Sequence, residues 1–273
     1  MGKWKVLICD LDGTLLAPGG GVHLCERVAD ALIRLQQKGM IVVLASARII
    51  HGVLPVAKQI QMDRYHGYII AQNGTLGYDA ANENVLFSHE IEKQDSLDLW
   101  TLAVRMGLDF GIAQPLYMVA NEYSKGFFLD RHNCQVDYLL TNKPQLYVKD
   151  AIWKCSISQE KEKIDAVFDL FKKEAEVRFP YHIVRSTDTV VDIVKQGCTK
   201  ENGLRELFAL TGMTFQDAVA IGDGNSDAEM IRCSAYGVTL ENGSESCKRY
   251  AQRIVSSYEQ DGCMELFEEL LKA

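Results

Sequence analysis

The run Val6-Leu7-Ile8-Cys9 is apolar at four successive positions and then stops at two carboxylates, Asp10 and Asp12. Side chains alternate across a strand, so a run apolar at every position must be covered on both faces. That requirement points to a parallel sheet between layers of helices. Ile41-Val42-Val43-Leu44, Tyr68-Ile69-Ile70-Ala71 and Ala218-Val219-Ala220-Ile221 repeat the pattern. Leu24, Val28, Leu32 and Leu35 recur at helical spacing, with Gly39 as a stop. The expected class is α/β, with a Rossmann-like parallel-sheet core.

The middle of the chain reads differently. Its pattern predicts a helix over 96–106, strands at 117–120 and 127–129, a helix over 136–140 and a strand at 152–157. A helix carrying Ile164, Val167, Phe168 and Phe171 and a strand at 183–185 follow. This is the composition of a small α+β domain. From Thr189 the first pattern returns, beginning with Val190-Val191-Asp192-Ile193-Val194. The expected organisation is a core from 1–80 and 188–273, with 81–187 as an inserted domain that sets substrate specificity.

A length of 273 residues suits one core with a sizeable insertion. The net charge of −8 leaves no basic face for a nucleic acid. Eight cysteines form no Cys-x-x-Cys pair, which suits a reduced, cytoplasmic protein. The first apolar run is halted by Asp10 and Asp12, unlike a signal peptide, and no run approaches a membrane span.

Four segments at or just beyond strand ends carry chemistry. Asp10 and Asp12 come first: close carboxylates repel one another, and a cation relieves them. Asp-x-Asp-Gly also occurs in calcium loops, which have a helix before them where this one has a strand, and in solvated turns, which stay open for this motif alone. Ser46 follows the second strand, with Ala47 and Arg48 behind it. A hydroxyl there can hold a phosphoryl oxygen or cap a helix. Lys200 stands at the start of an expected helix, where the dipole disfavours a cation unless an anion is held beside it. Alone, it also reads as a solvated lysine. Gly222-Asp223-Gly224-Asn225-Ser226-Asp227 adds two carboxylates and suits Mg²⁺ held by few protein oxygens, with Asp227 alternatively an N-cap. In a parallel sheet such groups collect at the carboxyl ends of the strands.

Asp10-x-Asp12-Gly13-Thr14, Ser46, Lys200 and Gly222-Asp223-Gly224-x-x-Asp227 resemble, in order, the four motifs of the haloacid dehalogenase superfamily of phosphohydrolases. Leu44-Ala45-Ser46-Ala47-Arg48, Gln72-Asn73-Gly74-Thr75, Glu241-Asn242-Gly243 and Glu259-Gln260-Asp261-Gly262 are similar to segments of its Cof-like subgroup, which includes sugar-phosphate phosphatases. The resemblance implies a Mg²⁺-dependent phosphatase acting on a small phosphorylated metabolite through an aspartyl-phosphate. It implies Asp10 as nucleophile, Asp12 as acid and base, and Ser46 and Lys200 on the transferring oxygens. Asp10, the Asp12 carbonyl, Asp223 and Asp227 would hold the metal. Leu11, Ala47, Arg48, Asn73 and Ser226 would contact substrate. Ser226 stands where the subgroup has Asn, and Ala47 where it has Gly. A phosphotransferase or phosphomutase would share the motifs, and a non-catalytic sugar-phosphate sensor would share the fold.

Overall fold

A computed structural model of the chain describes residues 4–149 and 151–272. The chain forms two compact units: Met1–Phe87 with Thr199–Ala273, and Ser88–Cys198.

The first unit begins with β1 (Val6–Cys9), α1 (Glu26–Gln37), β2 (Ile41–Ala45), α2 (Ile50–Gln59), β3 (Tyr68–Ala71), β4 (Leu76–Asp79) and β5 (Asn84–Ser88). Gly39 takes φ +91° just after α1, the left-handed geometry of a helix stop. The second unit contains α3 (Lys93–Arg105), β6 (Asp109–Ala113), β7 (Tyr117–Ala120), α4 (Lys125–Cys134), β8 (Asp137–Leu140), β9 (Cys155–Ser158), α5 (Lys161–Arg178), β10 (Tyr181–Arg185) and β11 (Val190–Lys195). The chain then returns through α6 (Lys200–Thr211), β12 (Ala218–Gly222), α7 (Ala228–Cys233), β13 (Tyr236–Leu240), α8 (Glu245–Tyr250), β14 (Arg253–Val255) and α9 (Cys263–Lys272).

The first unit is built on an eight-stranded sheet in the order β14-β13-β12-β1-β2-β3-β4-β5. Six strands from β14 to β3 run parallel, and β4 turns back antiparallel to β3. All four β1 side chains are fully buried, as the double-faced apolar run requires. Val6 and Ile8 join Val43, Ile70, Leu204, Leu207 and Met230 in one apolar layer beneath α6. Each such side chain contributes about 1.5–3 kcal/mol on leaving water. In register, Cys9 lies beside Leu44 of β2 and Ile221 of β12. The residues after these three therefore emerge at one end of the sheet.

The second unit carries a six-stranded sheet in the order β10-β11-β9-β6-β7-β8. One face packs against α3 and α5 through Leu99, Trp100, Phe110, Ile157, Phe171 and Ile193.

Three sequence expectations are corrected here. Residues 127–129 lie in α4, and 136–140 hold the strand β8, reversing both assignments. Only Phe127 of the Phe127-Phe128-Leu129 run is buried, so one helical face uses it while the others stay exposed. The strand β11 pairs antiparallel with β10 and β9 and so belongs to the second sheet. The expected boundary between 187 and 188 would cut that hairpin, whereas the compact units divide between Cys198 and Thr199 and between Phe87 and Ser88.

Candidate active site

Asp10 leaves β1 with its N–H donated to the Ile221 carbonyl at 3.0 Å. The chain then turns tightly, because the Leu11 carbonyl accepts from the N–H groups of Thr14, Leu15 and Leu16. Gly13 takes φ +82°, and a Cβ there would lie 2.4 Å from Oδ2 of Asp223. Glycine is therefore required twice over, by conformation and by space. The Thr14 hydroxyl donates to Oδ1 of Asp223 at 2.7 Å. Thr14 is a site residue the motif contains but sequence reasoning gave no role.

Carboxylate oxygens of Asp10, Asp223 and Asp227 lie within 4.8 Å of one another. Lys200 Nζ sits between two of them, 2.5 Å from Oδ1 of Asp10 and 2.6 Å from Oδ1 of Asp227. Its side chain is only 2% exposed, so the solvated-lysine alternative is excluded. The anions that offset the helix N-terminus are these two side chains. Thr199 caps α6 by accepting the Asn202 N–H. Burial opposes the Lys200 charge, but Asp10 and Asp227 outweigh it and hold the ammonium above its ordinary range.

Burial, then the Asp227 charge, pushes the Asp10 carboxyl well above the usual carboxylate range, while Lys200 pulls it back. Burial likewise pushes Asp223 up to about 6, against the Thr14 hydrogen bond. One ammonium among three carboxylates leaves an excess of negative charge. Oxygen donors at this spacing, destabilised as anions, fit a small divalent cation. Asp227 is the most committed of the three: its Oδ2 accepts the N–H groups of Asp223 and Gly224 at 3.1 and 2.8 Å. Asp227 precedes α7, but its side chain makes no capping bond to that helix, so the N-cap alternative is not met.

The Asp12 carboxylate stands outside that cluster. Arg48 grips it with Nε on Oδ2 at 2.7 Å and Nη2 on Oδ1 at 2.6 Å. The guanidinium is 5% exposed and also donates from Nη1 to the Gly21 carbonyl at 2.7 Å. Arg48 was expected to contact substrate; in this structure its fork is engaged by Asp12. Ser46 is buried and its Oγ accepts the Arg48 N–H at 3.1 Å. It is not a helix cap, since α2 begins at Ile50 after Ile49.

The remaining candidates are distributed unevenly. The Leu11 side chain is fully buried, and Ala47 is half-buried. Asn73 donates its N–H to the Ser46 carbonyl at 3.1 Å, which brings the Gln72–Gly74 turn onto the Ser46 loop. Its buried Oδ1 has no hydrogen-bond partner. Ser226 is exposed, and neighbouring Asn225 accepts from the Ser246 hydroxyl at 2.7 Å rather than replacing it. In the second unit, Arg131 pairs with Asp137 at 3.1 Å.

A family of haloacid dehalogenase-like hydrolases matches residues 7–267, and the chain belongs to it. A haloacid dehalogenase-like hydrolase from Bacteroides thetaiotaomicron superposes with a TM-score of 0.91 at 25% identity, covering 98% of this chain and 100% of that one. YxeH of Bacillus subtilis is 25% identical over 272 residues, 99% of each chain. A phosphoglycolate phosphatase of Methanosarcina acetivorans is 26% identical over 273 residues, covering 98% of this chain and 97% of its own. Among the described residues, no helix is long and apolar enough to cross a membrane.

Proposed function

We propose that this hydrolase is a Mg²⁺-dependent phosphatase that cleaves a small phosphorylated metabolite, of the sugar-phosphate kind, through an aspartyl-phosphate on Asp10. The observation that carries the reading is Lys200 Nζ bridging Asp10 and Asp227 within a cluster of three carboxylates. The name of the phosphoglycolate phosphatase relative supports the phosphomonoester class.

A carboxylate oxygen of Asp10 attacks phosphorus as the bond to the leaving oxygen breaks. Asp12 gives that oxygen a proton, then takes one from the water that attacks the phosphorus. The bond between phosphorus and Asp10 breaks, and inorganic phosphate leaves. Lys200 places an ammonium beside the attacking oxygen, where it also meets the phosphoryl charge. The Ser46 hydroxyl donates to a transferring oxygen while its lone pair keeps the Arg48 N–H. Arg48 meets Asp12 with two donors, which requires both Asp12 oxygens as acceptors, the form that serves the base step. The Asp12 side chain is 37% exposed. Asp10 and Asp223 would hold the cation, with Asp227 behind them and the Asp12 carbonyl as a further oxygen. Bound there, Mg²⁺ supplies the positive charge that screens Asp10 from an anionic substrate. The second unit selects the leaving group.

The test is phosphate release from a panel of phosphorylated metabolites with and without Mg²⁺, using the intact chain and Asp10→Asn. Release that needs Mg²⁺ and is lost in Asp10→Asn supports the reading. Undiminished release by Asp10→Asn refutes it.

A further inference from the structure

We infer that Asn242 is a positioning residue for the Asp223 carboxylate. The inference rests on the proposed role of Asp223 in holding a cation.

Asn242 follows β13 and is exposed, yet both ends of its amide are engaged. Nδ2 donates to the Gly13 carbonyl at 2.9 Å, and Oδ1 accepts the Tyr258 N–H at 3.1 Å. Asn242 thereby ties the turn after β1 to the loop before α9. That turn bears directly on Asp223. Gly13 lies against its carboxylate, closely enough that a Cβ would overlap it, and the next residue, Thr14, donates to Oδ1. A shift of the Gly13 carbonyl would carry both contacts with it.

The same stretch of chain holds Asp223 from its main-chain side. Ser244 N–H donates to the Asp223 carbonyl at 2.8 Å. The Thr239 hydroxyl donates to the Gly222 carbonyl at 2.7 Å, and the Cys247 thiol to the Gly224 carbonyl at 2.9 Å. Residues 239–247 therefore bracket residues 222–224 along the backbone. Asn242, within that stretch, also bonds the Gly13 turn, whose groups set the carboxylate's direction. Groups that orient a ligand typically change metal affinity by 10–100-fold when removed.

The experiment is calorimetric titration of the intact, substrate-free chain with Mg²⁺. Because the side chain is exposed, Asn242→Ala leaves no cavity, and a melting curve without Mg²⁺ confirms that it is folded. We expect its Kd for Mg²⁺ to rise about 10-fold. Asn242→Asp keeps an acceptor for Tyr258 but turns a second acceptor toward the Gly13 carbonyl, so it should weaken binding at least as much. Folded Ala and Asp variants that bind Mg²⁺ within twofold of the parent overturn the inference. Asp223→Asn separates the two readings. If it abolishes binding while Asn242→Ala leaves it unchanged, the positioning role alone fails. If Asp223→Asn binds like the parent, the assignment of the cation site itself fails.

Discussion

The guanidinium of Arg48 takes both oxygens of Asp12, at 2.7 and 2.6 Å, and so fixes the direction of a carboxylate that stands outside the Lys200 cluster. Lysine cannot reproduce a planar fork. Arg48→Lys should lower kcat by about 100-fold, the size of effect expected from misplacing a reacting group by an ångström. Steady-state kinetics at saturating Mg²⁺ check this, and a kcat within twofold of the parent would refute it.

Lys200 is the only cation bonded to Asp10 and Asp227 among the described contacts. Lys200→Met would leave two buried carboxylates without it, a change that typically costs about 3–5 kcal/mol. Asp10→Asn acts in the opposite sense. It removes one of three crowded negative charges and keeps an oxygen for Lys200. In metal-free protein, Lys200→Met should melt below the parent and Asp10→Asn at or above it, while both lose turnover. Differential scanning fluorimetry reads the order, and a lower melting temperature for Asp10→Asn contradicts the crowding argument.

Gly74 takes φ +90°, and a Cβ there would lie 2.0 Å from the Thr199 carbonyl oxygen. Gly203 of α6 approaches the same turn, with its own would-be Cβ 2.8 Å from the Gly74 Cα. The start of α6 thus rests backbone to backbone on the turn, one residue before Lys200. Gly74→Ala should destabilise the chain by about 1–3 kcal/mol through the strained conformation and lower kcat by displacing Lys200. Urea titration and kinetics test the two effects together. An unchanged kcat would show that α6 tolerates the shift.

In the second unit, Lys154 Nζ meets Oδ1 of Asp192 at 2.9 Å, with both side chains buried. Hydroxyls of Ser156 and Ser186 complete the carboxylate at 3.1 and 2.6 Å. Burial opposes the Lys154 charge, but the Asp192 carboxylate outweighs it and raises its pKa. A raised folded-state value means that the pair's contribution is complete below the ordinary lysine range. It fades only as pH rises past it. Lys154→Met should therefore cost about 3–5 kcal/mol, and the cost should stay constant between about pH 6 and pH 9. Denaturant titrations across that range decide. A penalty that shrinks toward pH 9 would mean that the lysine loses its proton early.

How much of this was legible in the sequence depended on which forces set each feature. β1, β2, β3 and β12 were legible because burial on both faces forces a continuous apolar run. The same signal misled for β11, since a run of buried residues does not say which sheet it joins. β6 was hidden by Gly111, which weakens a strand pattern. There a Cβ would lie 3.0 Å from the Phe127 ring, so the glycine serves the packing of α4. In the site, the acidic residues were legible from type and spacing. The partners were not: Arg48 meets Asp12 across 36 residues, and Asn242 meets Gly13 across 229. Long-range pairing of exposed or amphipathic side chains leaves no local period.

The two junctions at Phe87/Ser88 and Cys198/Thr199 have an evolutionary consequence. Every residue nominated for chemistry, from Asp10 to Asp227, lies on the first unit's side of both. Recombination at those two points would exchange the whole 88–198 segment as a cassette. A chimera built there would inherit the reaction intact and, under the proposed division of labour, a new choice of leaving group.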